Sequence, residues 1–237
     1  MTMVFLFDLD GTIINSQEGV TKCVQYALHH FGIEEPDLTK LLPFIGPPLQ
    51  QQFMGLYGMS REQAIRAELK YRERFSAKGM YECELYPYVE EMLKELKENG
   101  CTLALASSKN ESACVDILEN LGIARCFDLI GGATDDGRIS QKADVLKMVM
   151  ERMGSLNPAD YVLVGDTKYD AVGAKTLHMD CIGVSYGFGT KEELEAAGAV
   201  CICDSAREVA KYIGEHYGAA ETRGLKATSG YKEGGII

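Results

Sequence analysis

The chain has 237 residues, 46% of them hydrophobic, enough to bury a sizeable core in one large domain or in a core domain carrying an insertion. Its 35 Asp and Glu outnumber 24 Lys and Arg, and the resulting net charge of −11 argues against nucleic-acid polymers and anionic membrane surfaces as partners, though not against a small anion in a locally cationic or metal-lined pocket. No basic segment leads into a long apolar stretch, no run approaches the ~20 apolar residues that span a bilayer, and the eight cysteines sit largely in apolar runs as buried thiols, so a cytoplasmic protein is expected, with no membrane and no obligate protein partner.

Along the chain, short apolar runs alternate with amphipathic segments. VFLFD (4–8), CTLALA (101–106), FDLIGG (127–132), YVLVG (161–165), CIGVS (181–185) and AVCIC (199–203) read as strands, and their continuous apolar character predicts a sheet covered on both faces. YPYVEEMLKELKENG, NESACVDILENLG, QKADVLKMVMERMG, YDAVGAKTLHM and SAREVAKYIGEHYG carry apolar residues at helical spacing, several closing on Gly. The pattern predicts an α/β fold, a doubly wound parallel sheet. One interval breaks the rhythm. Residues 15–85 hold helical patterns such as EGVTKCVQYALHHFG and REQAIRAELKYRERFSAKG around the Pro-rich turn PFIGPPLQ, with no convincing strand. An all-helical insertion over 15–85 is therefore expected on a core formed by 1–14 and 86–217, followed by a Gly-rich flexible tail over 218–237.

Ligands of open parallel sheets bind beyond the carboxyl ends of the strands, so the residues that follow each run are the informative ones. The first run ends in Asp8 and Asp10, the second in Ser107-Ser108-Lys109, and the fourth in GDTKYD with Asp166 and Asp170; Lys142 opens a helix after GGATDDGRIS. Carboxylates, a hydroxyl and a lysine on one rim suit a phosphate with a divalent cation. Each also has an ordinary reading: Asp8 and Asp10 as turn formers, Ser107 as a helix N-cap, Lys142 as a solvated lysine, Asp166 and Asp170 as a cap and a first-turn acid. Cys201 and Cys203 have no second Cys or His pair at a zinc-like interval, which argues against a zinc site.

In order and context, FDLDGT, the Ser of LALASSK, the Lys of RISQKAD and VGDTKYD resemble the four motifs of the haloacid dehalogenase superfamily of phosphohydrolases, a likeness that runs from residue 3 to about 213. The resemblance implies a Rossmann-like core with a small helical cap between the first and second motifs, a magnesium ion and an aspartyl-phosphate intermediate. It implies Asp8 as nucleophile and Asp10 as general acid and then base, with Lys142 balancing charge. Gly11, Thr12, Ser107, Ser108 and Lys142 would hold the phosphate; Asp8, Asp166, Asp170 and the Asp10 backbone carbonyl would hold the metal, Asp170 standing four residues after Asp166 and so expected on the same helical face. Asp10 and Gly11-Thr12 mark the phosphatase form rather than the dehalogenases. The sequence departs from the family pattern at Ser107-Ser108, where Thr followed by Asn or Ser is common, and at Tyr88, where Gly is frequent.

The segments GPPLQQQF, YRERFSAKGMYECELYP, DDGRISQKAD and VSYGFGTKEELEAAGA resemble the branch that holds phosphoglycolate phosphatases and bacterial 5′-nucleotidase-like enzymes. The expected substrate is a small phosphorylated metabolite, a nucleoside 5′-monophosphate ahead of phosphoglycolate. Asn15, Ser16, Gln50, Arg72 and Arg74 are the cap candidates for choosing it, although a solvated helix face is the favoured reading of both arginines. A phosphosugar mutase of the same superfamily and a phosphoacceptor signalling module are the other readings; receiver modules, however, lack inserted helices and are about half this length.

Overall fold

The computed structural model describes residues 3–134 and 136–217; the tail expected over 218–237 lies outside them. In chain order the elements are β1 (Val4–Phe7), β2 (Ile14–Asn15), α1 (Gln17–His30), α2 (Leu49–Tyr57), α3 (Arg61–Ala77), β3 (Glu84–Leu85), α4 (Val89–Glu98), β4 (Thr102–Asn110), α5 (Glu111–Asn120), β5 (Leu129–Ala133), α6 (Lys142–Met153), β6 (Tyr161–Gly165), α7 (Lys168–Thr176), β7 (Asp180–Val184), α8 (Lys191–Ala197), β8 (Cys201–Cys203) and α9 (Ala206–His216). Six of the strands form one parallel sheet in the order β5-β4-β1-β6-β7-β8.

Strand periodicity sorts the apolar side chains into two layers. Phe5, Phe7, Leu103, Leu105, Val162 and Val164 face one side, against residues of α4, α5 and α9. Val4, Leu6, Ala104, Ala106 and Leu163 face the other, against α6, α7 and Leu194 of α8. This two-sided burial is why the strands read as unbroken apolar runs. Each fully buried Phe or Leu contributes roughly 1.5–3 kcal/mol. β1 lies centrally, between β4 and β6, so its carboxyl end opens onto the crevice where the direction of winding reverses.

Between β2 and β3 the chain builds a third apolar cluster of its own, from Val20, Val24 and Leu28 of α1, Phe44, Phe53 of α2, and Ala64, Ala67 and Tyr71 of α3. Ser60 and Gln63 close a reciprocal capping box at the start of α3. The interval holds two short strands that its sequence did not announce: Ile14 pairs with Leu85 and Asn15 with Glu84, antiparallel. Two residues per strand are too few to show alternation, so periodicity has nothing to detect. They tie together the two linkers through which the helical segment joins the sheet.

Three other expectations need correcting. β4 runs on through Ser107 to Asn110, with a register shift against β5, and α5 starts only at Glu111. Ser107 is thus a strand residue and not a helix N-cap; the irregular pairing lets a polar stretch stay in the sheet. α8, seven residues capped by Thr190, was not foreseen as a helix. Asp166 precedes α7 whereas Asp170 lies in its first turn, so the two do not share a helical face and are brought together by the turn between them. At Tyr88 the backbone accounts for the frequent Gly, its φ of +67° lying in the left-handed region that Gly enters most easily, while the Tyr ring found there carries the Arg207 guanidinium 3.5 Å from its centroid.

Candidate active site

Asp8 follows β1 and stays in register with the sheet, its N–H donating to Val164 O at 2.9 Å. Leu9 turns into the core, leaving Asp8 and Asp10 on the opposite side. Gly11 then takes φ +86°, and a Cβ there would collide with the Asp166 carboxylate. Only glycine permits this approach of the loop after β1 to the acid that follows β6.

Lys142, the first residue of α6, is buried and joins three elements. Its Nζ lies 2.6 Å from Asp8 Oδ1 and 2.7 Å from Asp170 Oδ1, and donates to Ala106 O at 2.9 Å. Asp170 Oδ2 accepts hydrogen bonds from the Thr167 N–H at 3.0 Å and from its Oγ1 at 2.7 Å. The capping and functional readings of Asp170 are therefore compatible, one oxygen serving each. Asp166 Oδ2 accepts from the Phe188 N–H at 2.7 Å and Oδ1 from Thr12 Oγ1 at 3.4 Å. Ligand oxygens of Asp8, Asp166 and Asp170 lie within 4.8 Å of one another, all three residues buried.

Three buried carboxylates face one ammonium, a local deficit of positive charge. Burial pushes the Asp8 carboxyl up to about 6; Lys142 pulls the other way and Asp170 adds to the rise. Burial, then Asp170 and Asp8, raise Asp166 well above the carboxylate range against the opposing Phe188 N–H. Burial opposes the charge on Lys142, but Asp170 and Asp8 together overcome it and hold the ammonium protonated. Oxygen donors carrying surplus negative charge fit a hard divalent cation, so the triad is able to hold a metal. Because protons compete for the same oxygens, the affinity of the triad for a divalent cation is expected to fall as pH drops through about 6, as a pH series of metal titrations in the absence of substrate would show.

The remaining predicted residues divide. Ser107 is buried, its Oγ accepting from the Lys109 N–H at 3.3 Å. Asp10 Oδ2 pairs at 2.9 Å with Lys109 Nζ, which sits 4.8 Å from the ring of Phe75 on α3, while Asp10 Oδ1 is buried without a hydrogen-bond partner among the described residues. Sequence reasoning placed Lys109 on the rim but gave it no role. Arg72 holds Glu68 and reaches across to Asn110 Oδ1 at 3.4 Å, and Gln50 donates to the same Glu68. Arg74 is instead engaged within the helical segment, donating to Glu82 at 2.7 and 3.1 Å and to Cys23 Sγ at 3.3 Å. Asn15 caps the Gln17 N–H and, with Glu18, Tyr81 and Glu84, lines a cavity of about 440 Å³ at the paired linkers, away from the carboxylates. Ser16 Oγ is buried with no hydrogen-bond partner among the described residues.

Residues 5–184 match the model of the haloacid dehalogenase-like hydrolases. The chain belongs to that family. It is 37% identical over 211 residues to a 5′-nucleotidase of Pseudomonas aeruginosa, covering 89% of this chain and 95% of that one, and 29% identical over 214 residues to phosphoglycolate phosphatase 1 of the same organism, covering 86% and 77%. Among solved structures, a "predicted phosphatase" from Clostridium acetobutylicum superposes with a TM-score of 0.86 at 42% identity, covering 91% of this chain and 99% of that one. Within the haloacid dehalogenase-like hydrolases this protein is a phosphatase. No helix among the described residues is long and apolar enough to cross a membrane.

Proposed function

We propose that this phosphatase is a magnesium-dependent phosphomonoesterase that works through an aspartyl-phosphate on Asp8, with a nucleoside 5′-monophosphate as its class of substrate. The observation that carries the reading is the buried triad of Asp8, Asp166 and Asp170 with Lys142 locked between two of its members. Asp8, Asp166 and Asp170, with the Asp10 backbone carbonyl, would hold the ion, which when bound neutralises charge on the phosphoryl oxygens. An Asp8 oxygen attacks phosphorus as the bond to the leaving oxygen breaks, and Asp10 delivers the proton which that oxygen needs. Asp10 then takes a proton from the water that releases inorganic phosphate and frees Asp8. Lys142 stays beside Asp8 throughout, balancing charge as it moves from carboxylate to phosphoryl group.

The nucleotide assignment is supported by the 5′-nucleotidase relative, more similar than the phosphoglycolate phosphatase. Phosphate release across a panel of phosphorylated metabolites, with Mg2+ and with excess chelator, tests both parts. A nucleoside monophosphate is expected to rank first and chelation to abolish turnover; a two-carbon acid phosphate ranking first would replace the substrate, and full activity in chelator would remove the metal.

The helical segment closes over the leaving group in this reading. Arg72→Ala, at its contact with the core, is expected to reorder that panel with less than about a threefold loss on a small aryl phosphate. Arg74→Ala should preserve the order and lower stability by about 1–3 kcal/mol, because the half-buried Glu82 loses a charged partner. Substrate profiles and denaturation curves of both variants decide.

A further inference from the structure

The segment Ser185-Tyr186-Gly187-Phe188-Gly189 follows β7 and supplies none of the groups assigned to catalysis, yet its backbone lies closely against Asp166. The Phe188 N–H donates to Asp166 Oδ2 at 2.7 Å. On either side of Phe188 the backbone lies directly on the acid: a Cβ at Gly187 would collide with Gly11 O and the Asp166 side chain, and one at Gly189 with Asp166 O. Tyr186 fastens the segment elsewhere, its hydroxyl donating to Thr12 O at 3.0 Å and its ring lying 4.9 Å from that of Tyr86, just past β3 in the second linker. The half-buried Phe188 side chain packs against the apolar cluster of the helical segment, as that of Phe75 also does.

One residue thus makes two contacts of different kind. Its backbone holds an oxygen of the candidate metal-site carboxylate, and its half-buried ring packs against the core of the inserted helices. The glycines on both sides allow the close approach but contribute no rigidity, so the ring is the anchor that holds this N–H where it is. We propose that Phe188 is a positioning residue for Asp166, so that the grip of the carboxylate triad on a cation depends on the seat of this one ring against the helical segment. The inference rests on the reading of Asp166 as a cation ligand.

The test uses the full chain and Mg2+ alone, without substrate, and reads the dissociation constant by calorimetry together with the Mg2+-dependent rise in melting temperature. Phe188→Ala is expected to weaken Mg2+ binding about tenfold, the lower end for loss of an outer-shell contact. Phe188→Leu, which keeps an apolar anchor, should stay within about twofold of the unaltered chain. Phe188→Val, expected to weaken binding about threefold, decides the matter if the alanine variant does not fold. Met59→Ala, in the same apolar cluster, should lower the melting temperature and leave the affinity unchanged. Unchanged affinity in the folded alanine variant, or in the valine variant where alanine does not fold, would overturn the proposal, as would equal weakening by Met59→Ala. No Mg2+ binding by the unaltered chain would instead overturn the metal reading beneath it.

Discussion

Asp8→Asn is expected to lower turnover by on the order of 10⁴-fold or more while making the metal-free protein more stable at pH 8. The two effects have one origin. An amide cannot accept phosphorus, so the covalent route closes, but the amide also removes one of three charges crowded into a buried site. The sign follows from the shift. In the folded chain the Asp8 carboxyl titrates near 6, above its ordinary value of 3.8, so ionised Asp8 costs stability at every pH above about 6, and the cost is relieved as pH falls from 6 towards 3.8. The asparagine variant should therefore melt higher than the parent at pH 8, by about 1–3 kcal/mol in unfolding free energy, and lose that advantage by about pH 4. Saturating Mg2+ should reverse the order, since the parent alone offers a third carboxylate. Denaturation of both proteins at pH 8 and pH 5, with and without Mg2+, checks each part. Equal stability throughout would mean that the three acids do not strain the fold, and near-native turnover would remove Asp8 as nucleophile.

Why so much of this site was legible in the sequence, and some of it not, comes down to where each residue's signal lies. Strands covered on both faces leave unbroken apolar runs, so the point at which a run stops marks the rim, and Asp8, Ser107 and Asp166 stand at such points. Lys142 was found from likeness and from its place at a helix start, but its partners come from three other elements, and nothing in RISQKAD encodes them. Lys109 was visible as a residue and not as a partner of Asp10, because the register shift that carries β4 past Ser107 has no periodic signature. Phe188 was hidden for a different reason. Glycines at 187 and 189 announce a close backbone approach, yet the acid they approach lies some twenty residues earlier in the chain. Arg72 and Arg74 look alike in YRERF, and only packing separates one that reaches the core from one held by Glu82.

Lys142→Ala is expected to cost the metal-free protein about 3–5 kcal/mol of stability and to reduce turnover on every substrate alike. Its ammonium is the cation that meets both Asp8 and Asp170, and removal leaves two buried carboxylates facing each other with Asp166 alongside. The Ala106 carbonyl loses its donor as well, which frees the end of β4 next to Ser107. A divalent cation placed among the same oxygens supplies part of the missing charge, so Mg2+ should raise the melting temperature of the alanine variant more than that of the parent. It does not replace the ammonium beside Asp8, the nucleophile of the proposed reaction, so turnover should stay low at any Mg2+ concentration. Lys142→Arg is not expected to rescue either property. The single Nζ meets Asp8, Asp170 and the Ala106 carbonyl at 2.6–2.9 Å, a convergence on one compact ammonium that a longer planar guanidinium does not reproduce. Melting curves over an Mg2+ series for parent, alanine and arginine variants, with turnover on a small aryl phosphate, separate these contributions: parallel curves for parent and alanine variant would show that Lys142 and the cation do not share the work of neutralising the triad.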